Sequence, residues 1–291
     1  FGFSKEPLYA SIIGNVINFC LNAFFLFVLH KGVAGVATAT VISRIINLVI
    51  VVLLGAVLVK AKQHPERESN RAVMGQIIRI GLPSACETAI YNVSMTLVIR
   101  FLNQMDAQGL NVTARSYTMQ ITNFSYCVGA ALAQANAIMT GWHIGAKEYD
   151  ACDRGTKKAA VIGVIVAVIL ETVFTLCSGW IMQLFSKDPQ MVSLVGKLLA
   201  IDIVLEIGRV TNLVYGQALK TSGDAVFPVV MGACFMILCS VGGTYLFGIR
   251  LGLLAVGAYI GMTGDECVRA VGMYLRWKSG KWKEKGLVKS R

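Results

Sequence analysis

Eight apolar stretches, each long enough to cross a lipid bilayer as a helix, fill most of this 291-residue chain. They fall at 7–29, 33–59, 77–102, 116–142, 159–185, 191–217, 225–249 and 251–275. A bilayer core takes about 20 apolar residues per helix. Backbone groups left unpaired in hydrocarbon are so costly that repeated spans of this kind leave a helical bundle as the available architecture. Composition agrees. Charged residues make up 15% of the chain, against roughly 25% in soluble domains. The expected fold is an all-α membrane protein with eight transmembrane helices.

The basic residues give the spans a direction. Of 27 Lys and Arg, 18 lie on one side, in the N-terminus and in 60–79, 143–158, 218–224 and 276–291, and four lie on the other. The positive-inside rule then places both termini in the cytoplasm of a multi-pass plasma-membrane protein. The net charge of +11 therefore suits anionic headgroups, and membrane lipid is an expected partner. No basic patch with interleaved aromatics stands outside the spans, so nucleic acid is not expected. The eight cysteines include no C-x-x-C, and only Cys152 falls in a clear loop. Neither a disulfide framework nor a thiolate metal site is expected.

The first pair of spans resembles the last pair. Pro7 and Pro228 open them, Gly32 and Gly252 follow their external turns, and small residues come next (Gly35 to Ala39, Ala255 to Ala258). Both pairs enter from the same side, which makes a parallel repeat with a period near 221 residues. Two full repeats would need twelve helices, so four are expected ahead of Phe1. The charged stretch 60–76, with Pro65, reads as a linker, and Val73 to Ile78 has the spacing of a short interfacial helix.

These features, taken in order, resemble the multidrug and toxic compound extrusion (MATE) family of secondary transporters. The residues that carry the resemblance are Pro7 to Asn18, Gly35 to Thr40 with Ser43, Gly81-Leu82-Pro83-Ser84 with Glu87, Gly141 to Lys147 with Ala151, Phe185 to Pro189, and Ser222-Gly223-Asp224 before Phe227-Pro228. The resemblance implies that 1–59 are the last two helices of an N-terminal lobe, 77–275 a complete six-helix second lobe, and 276–291 a basic cytoplasmic tail. It implies efflux of cationic or amphipathic small molecules by antiport with Na⁺ or H⁺, in a bacterial inner membrane. No other cofactor is implied, and the oligomeric state stays open. Glu206-Ile207-Gly208-Arg209 resembles one bacterial branch better than the branch with a lone acid lower in that helix.

Ionisable residues inside spans are costly and are functional candidates by default. At 1.5 Å per residue, Glu87, Glu171, Glu206 and Glu266 come out roughly 14 to 18 Å deep, in one layer. Asp202 lies one turn from Glu206. Glu87, Glu206 and Asp202 are the expected cation-coupling residues. Glu87 stands out because it has no cation within four positions and follows Pro83 by one turn. Bound Na⁺, a proton, or an arginine from another helix such as Arg44 would each relieve its charge. Arg209 and Arg269 follow Glu206 and Glu266 by three, a spacing that suits structural ion pairs. Asn15, Asn18 and Asn22 form one stripe, and Gln120, Asn123 and Cys127 another. With Tyr91, Asn92 and Asn212, these asparagines and Gln120 either line a substrate cavity or glue helices together.

Other chemistry finds little support. His30, His64 and His143 are far apart, which argues against a metal site, and no phosphate-binding glycine loop occurs. Asn111-Val112-Thr113 is a sequon without a targeting context. A flippase of lipid-linked substrates would show more bases than acids near the midplane. A membrane-embedded lipid transferase would show a catalytic His or Asp at the interface. The chain is expected not to be an enzyme.

Overall fold

The computed structural model describes residues 5–60, 70–106 and 108–284, and among them there is no strand. The chain divides at Asn70 and Arg71 into two compact units. Residues 61–69, most of the expected linker, and 285–291, the end of the basic tail, lie outside the described residues.

The first unit is a helical hairpin. Helix α1 (Lys5–Ala23) continues into a π-helical turn at Phe24–Val28, and α2 (Gly32–Lys60) returns. Few of its apolar side chains are covered: Phe19 is 75% exposed and Phe27 70%. Polar groups do the joining. Asn18 Nδ2 donates to Ser43 Oγ at 2.9 Å, and Asn22 Nδ2 to Asn18 Oδ1 at 3.1 Å.

The second unit comprises α3 (Asn70–Met105, from Arg71), α4 (Leu110–Gly145), α5 (Tyr149–Leu176), the short α6 (Ser178–Met182), α7 (Pro189–Thr221), α8 (Val226–Phe235) and α9 (Leu254–Lys278). Helix α8 is prolonged by π-helical segments at Met236–Val241 and Thr244–Arg250. Helix α7 is central and packs against α4, α5 and α9. The unit is apolar outside and carries charged groups, as well as apolar ones, within. Leu176 is 80% exposed and Trp180 70%, whereas Glu171 and Glu206 are fully buried. Such an inversion suits hydrocarbon as the surrounding solvent.

Four rods have the length and composition to cross a membrane: Leu8–Val28, Gly32–Val57, Tyr149–Leu176 and Val226–Arg250. The other long helices, α3, α4, α7 and α9, carry most of the interior charges, and Glu171 lies on α5. Several boundaries differ from the sequence expectation. Helix α3 runs unbroken from Asn70, so residues 73–78 belong to it and do not form a separate interfacial helix. Helix α4 starts at Leu110, which brings Arg115 inside it. Helix α5 starts at Tyr149 and places Cys152 in its first turn, 1% exposed, rather than in a loop. The tail is docked where it is described: Trp282 stacks on Trp277 at 4.2 Å between ring centroids, and its Nε1 donates to the Trp277 carbonyl.

Close helix approach needs missing side chains. A Cβ on Gly208 would stand 2.9 Å from the α9 backbone at Glu266 and Cys267. That glycine lets α7 and α9 come near enough to share their charges. Gly257 and Gly261 on α9 do the same against the α8 extension.

Helix α3 behaves differently from the rest. Among the described residues it has no extensive backbone packing on any other helix. Val98 and Leu102 anchor its later half by full burial, while an ion pair holds its earlier half.

The two outer hairpins repeat each other at an offset of 222 positions. Leu29, Lys31 and Gly35 donate to the carbonyls of Phe24, Phe25 and Lys31, and Leu251, Leu253 and Gly257 donate to those of Leu246, Phe247 and Leu253. Positive φ recurs at His30 and Gly32, then at Gly252 and Leu254. The Asn18–Ser43 bond recurs as Ser240 Oγ donating to Asp265 Oδ2, also at 2.9 Å.

Candidate functional site

One face of α7, at Asp202, Leu205, Arg209, Asn212, Gly216 and Lys220, recurs every three or four residues and lines two cavities. The inner cavity, about 220 Å³, is closed by α3, α4 and α9 through Tyr91, Met95, Arg115, Thr122, Asn123, Tyr259 and Asp265. The second, about 530 Å³, extends toward Lys220 and is lined by Glu87, Asn92 and Arg269 among others. Tyr91, Tyr126, Arg209 and Glu266 line both. The space exists because α3 stands off from its neighbours.

A charge network spans the cavity wall. Arg209 Nη1 donates to Glu206 Oε2 at 2.7 Å, and its Nε lies 3.8 Å from Glu266 Oε1. Its guanidinium also sits 5.9 Å from the Tyr126 ring centre. Arg269 donates to both Asp265 oxygens, at 2.8 and 3.0 Å, and lies 2.9 Å from Glu266 Oε1. Asn212 Nδ2 donates to Glu266 Oε2 at 3.0 Å. Glu266 thereby ties α7 to α9, at the level where Gly208 allows contact.

Not all of this buried polarity is satisfied. Asp202 Oδ2 and Glu206 Oε1 find no hydrogen-bond partner. Buried acceptors without donors cost free energy, so each invites an ion, a proton or a ligand group. Asp202 is 2% exposed and its residue lines the inner cavity.

The sequence expectation for Glu87 needs correction. It has a cation partner from another helix, Lys220, at 2.6 Å. Lys220 lies 14 residues beyond Glu206 on α7, which is roughly 21 Å along the axis. Glu87 therefore lies displaced from Glu206 toward the Lys220 end of α7. The depth estimate failed because it set the start of α3 at residue 77, whereas the helix is already running there.

Tyr91, Asn92, Asn123 and Asn212 line the cavities, as does Asp202. Gln120 is exposed and lines neither. Asn15, Asn18 and Asn22 belong to the first unit; Asn15 is exposed, and the other two bond along and across the hairpin. Sequence reasoning missed Asp265, Arg115 and Lys220. Asp265 stands four before Arg269, a readable ion-pair spacing hidden by its neighbour Glu266. Arg115 and Lys220 were assigned to loops because the helix ends were set too short.

Outside the spans, Asp106 organises the turn into α4. Burial pushes its carboxyl up, but hydrogen bonds from Asn111 and from the Leu110 and Gly109 backbone outweigh it and hold the group below its ordinary range. Asn111 Oδ1 also accepts from the Ala255 backbone at 3.1 Å. With its side chain engaged and 2% exposed, Asn111 is not presented as a glycan acceptor.

Comparison with known proteins follows the same outline. The MatE family model matches residues 83–246. An "Uncharacterized transporter YisQ" of Bacillus subtilis is 33% identical over 99% of this chain and 64% of its own length. A "Probable multidrug resistance protein NorM" of Thermotoga maritima is 21% identical over 99% of this chain and 62% of its own. The solved eukaryotic MATE transporter AtDTX14 superposes with a TM-score of 0.85 at 19% identity, covering 96% of this chain and 63% of that one. The chain thus spans a little under two thirds of the length of these relatives.

Proposed function

The chain belongs to the MatE family of membrane-embedded, multi-pass transporters, and from that premise we propose secondary active efflux of cationic or amphipathic compounds, coupled to inward Na⁺ or H⁺. In this reading all eight rods cross the plasma membrane. Residues 1–59 complete one lobe, 60–76 link the lobes, 77–275 form the second lobe, and 276–291 are a cytoplasmic tail. Glu87, Asp202 and Glu206 are the coupling acids, and Tyr91, Asn92, Asn123 and Asn212 contact substrate.

The observation that supports this best is the buried Asp202 carboxyl on the wall of the inner cavity, one of whose oxygens has no hydrogen-bond partner. A carboxylate in that state gains from any cation that reaches it. A proton, Na⁺ or the ammonium of a substrate would compete for the same oxygen. Competition of that kind is what antiport requires: the ion's arrival releases the substrate. Acids also outnumber bases around α7, with Glu171, Asp202, Glu206, Asp265 and Glu266 against Arg115, Arg209 and Arg269. That excess favours a cationic cargo over the pyrophosphate of a lipid-linked sugar.

The test is dye efflux from proteoliposomes holding the full-length transporter. An imposed Na⁺ or pH gradient should accelerate export of a lipophilic cation, and indifference to both gradients would overturn the reading. Orientation is checked separately. A cysteine placed at the exposed Lys147 should react with an impermeant maleimide only from the cytoplasmic side. Labelling in intact cells would reverse the topology.

A further inference from the structure

We propose that Glu171 is a second proton carrier of this transporter, held in the seam between α4, α5 and α7, behind the cavity wall and out of reach of cargo. The proposal rests on the efflux reading and deepens it, since it makes H⁺ the coupling ion.

The efflux reading gives Glu171 no task. It is fully buried on α5 and is not among the residues that line the two cavities. The groups that face it are Ser125 on α4 and Asp202, Glu206 and Arg209 on α7. Packing explains the meeting. Val210 of α7 is wedged between Gly129 of α4 and Gly163 of α5, where a Cβ at either glycine would lie 2.8 Å from a Val210 methyl. Ser125 stands one turn before Gly129, Glu206 one turn before Val210, and Glu171 two turns after Gly163. The wedge shuts the seam on its Lys220 side. The route out of the cluster therefore runs along the acids of α7 toward the inner cavity.

Charge balance puts a proton there. Arg209 answers Glu206 Oε2 and is shared with Glu266. Three carboxylates and one guanidinium in dry packing cannot all stay ionised, because like charges repel and each is stripped of water. Glu206 Oε1 is unpartnered and turned toward α4, 4.0 Å from where a Cβ on Gly129 would stand. It is an open acceptor on the seam side while Oε2 holds the arginine. A proton leaving the Glu171 carboxyl breaks its O–H bond there and forms one at Glu206 Oε1. It passes directly or through the Ser125 hydroxyl, which gives one proton as it takes one. Asp202, one turn along α7 and on the inner cavity's lining, hands it on. Among the described residues no group of three metal-ligating side chains gathers, whereas a proton needs a single lone pair. Cargo acts on this store at a distance. A cation at Asp202 brings positive charge beside Glu171 and replaces the proton as the charge that settles the cluster.

The test is proton release on cargo binding. The full-length transporter in lightly buffered detergent solution, with pyranine as reporter, receives tetraphenylphosphonium. The parent should release about two protons per bound cation and Glu171→Gln about one, the remainder coming from Asp202. Glu171→Asp should release more than Glu171→Gln. Thermal unfolding reads the fold separately, and a purely structural Glu171 would shift that temperature without changing the count. A parent that releases about one proton or fewer, or a folded Glu171→Gln that releases as many as its parent, would overturn the proposal and leave cation efflux standing. If Glu171→Gln does not fold, the parent's count and the Glu171→Asp variant decide. Binding that weakens when Na⁺ replaces choline at fixed pH, with no proton released, would assign the coupling to Na⁺ and also sink it. A parent that does not bind the cation at all would instead strike the efflux reading itself.

Discussion

Arg209→Met is expected to destabilise the second unit by about 3–5 kcal/mol, the usual cost of stripping one partner from a buried ion pair. The side chain length is preserved, so packing changes little. What changes is charge. Glu206, fully buried, loses the donor on its Oε2 while its Oε1 is already unpartnered, and Glu266 keeps only Arg269 and Asn212. The measurement is thermal unfolding of the detergent-solubilised protein, read by fluorescence-detected size exclusion. Glu206→Gln should be much milder alone and should restore most of the loss in the double variant, because the buried charge then goes with its partner. An Arg209→Met protein as stable as its parent would show that the pair carries no structural weight.

Asp202→Asn is expected to abolish ion-driven efflux, by tenfold or more, on the scale seen when one essential interaction is removed. It should leave folding intact or improve it. The amide nearly matches the carboxylate in shape, and removing a buried charge without a full set of partners relieves desolvation. Transport in proteoliposomes and unfolding of the purified protein together decide the matter. Normal accumulation with lost coupling supports Asp202 as the shared site of ion and cargo. Undiminished gradient-driven efflux would remove it from the mechanism, and collapse of the protein would make it structural.

The order of the helices, their apolar exteriors and the family were legible in the sequence because hydrocarbon burial demands long unbroken runs. Local ion pairs were legible too, since Glu206–Arg209 and Glu266–Arg269 sit at helical spacing. Contacts between distant segments were not. Nothing near Glu87 points to Lys220, which is 133 positions away. Arg115 was lost for another reason. A charge five residues from a helix start looks like a loop residue when the span is drawn only around its apolar middle.

The repeated hairpin carries a consequence for how charge came to sit in this interior. At the slot where Ser240 meets Asp265, the first hairpin places Asn18 and Ser43, with donor and acceptor facing the same way. The turn, its backbone hydrogen bonds and its positive-φ residues are alike in both copies. Closing such a hairpin therefore needs no ion: a neutral pair suffices. The same comparison applies at the position of Arg269, where the first copy has Asn47. The first copy thus joins its helices at this slot with uncharged groups, and the second places Asp265 and Arg269 at the matching positions. The shape of the hairpin therefore does not depend on the charges that the second copy carries.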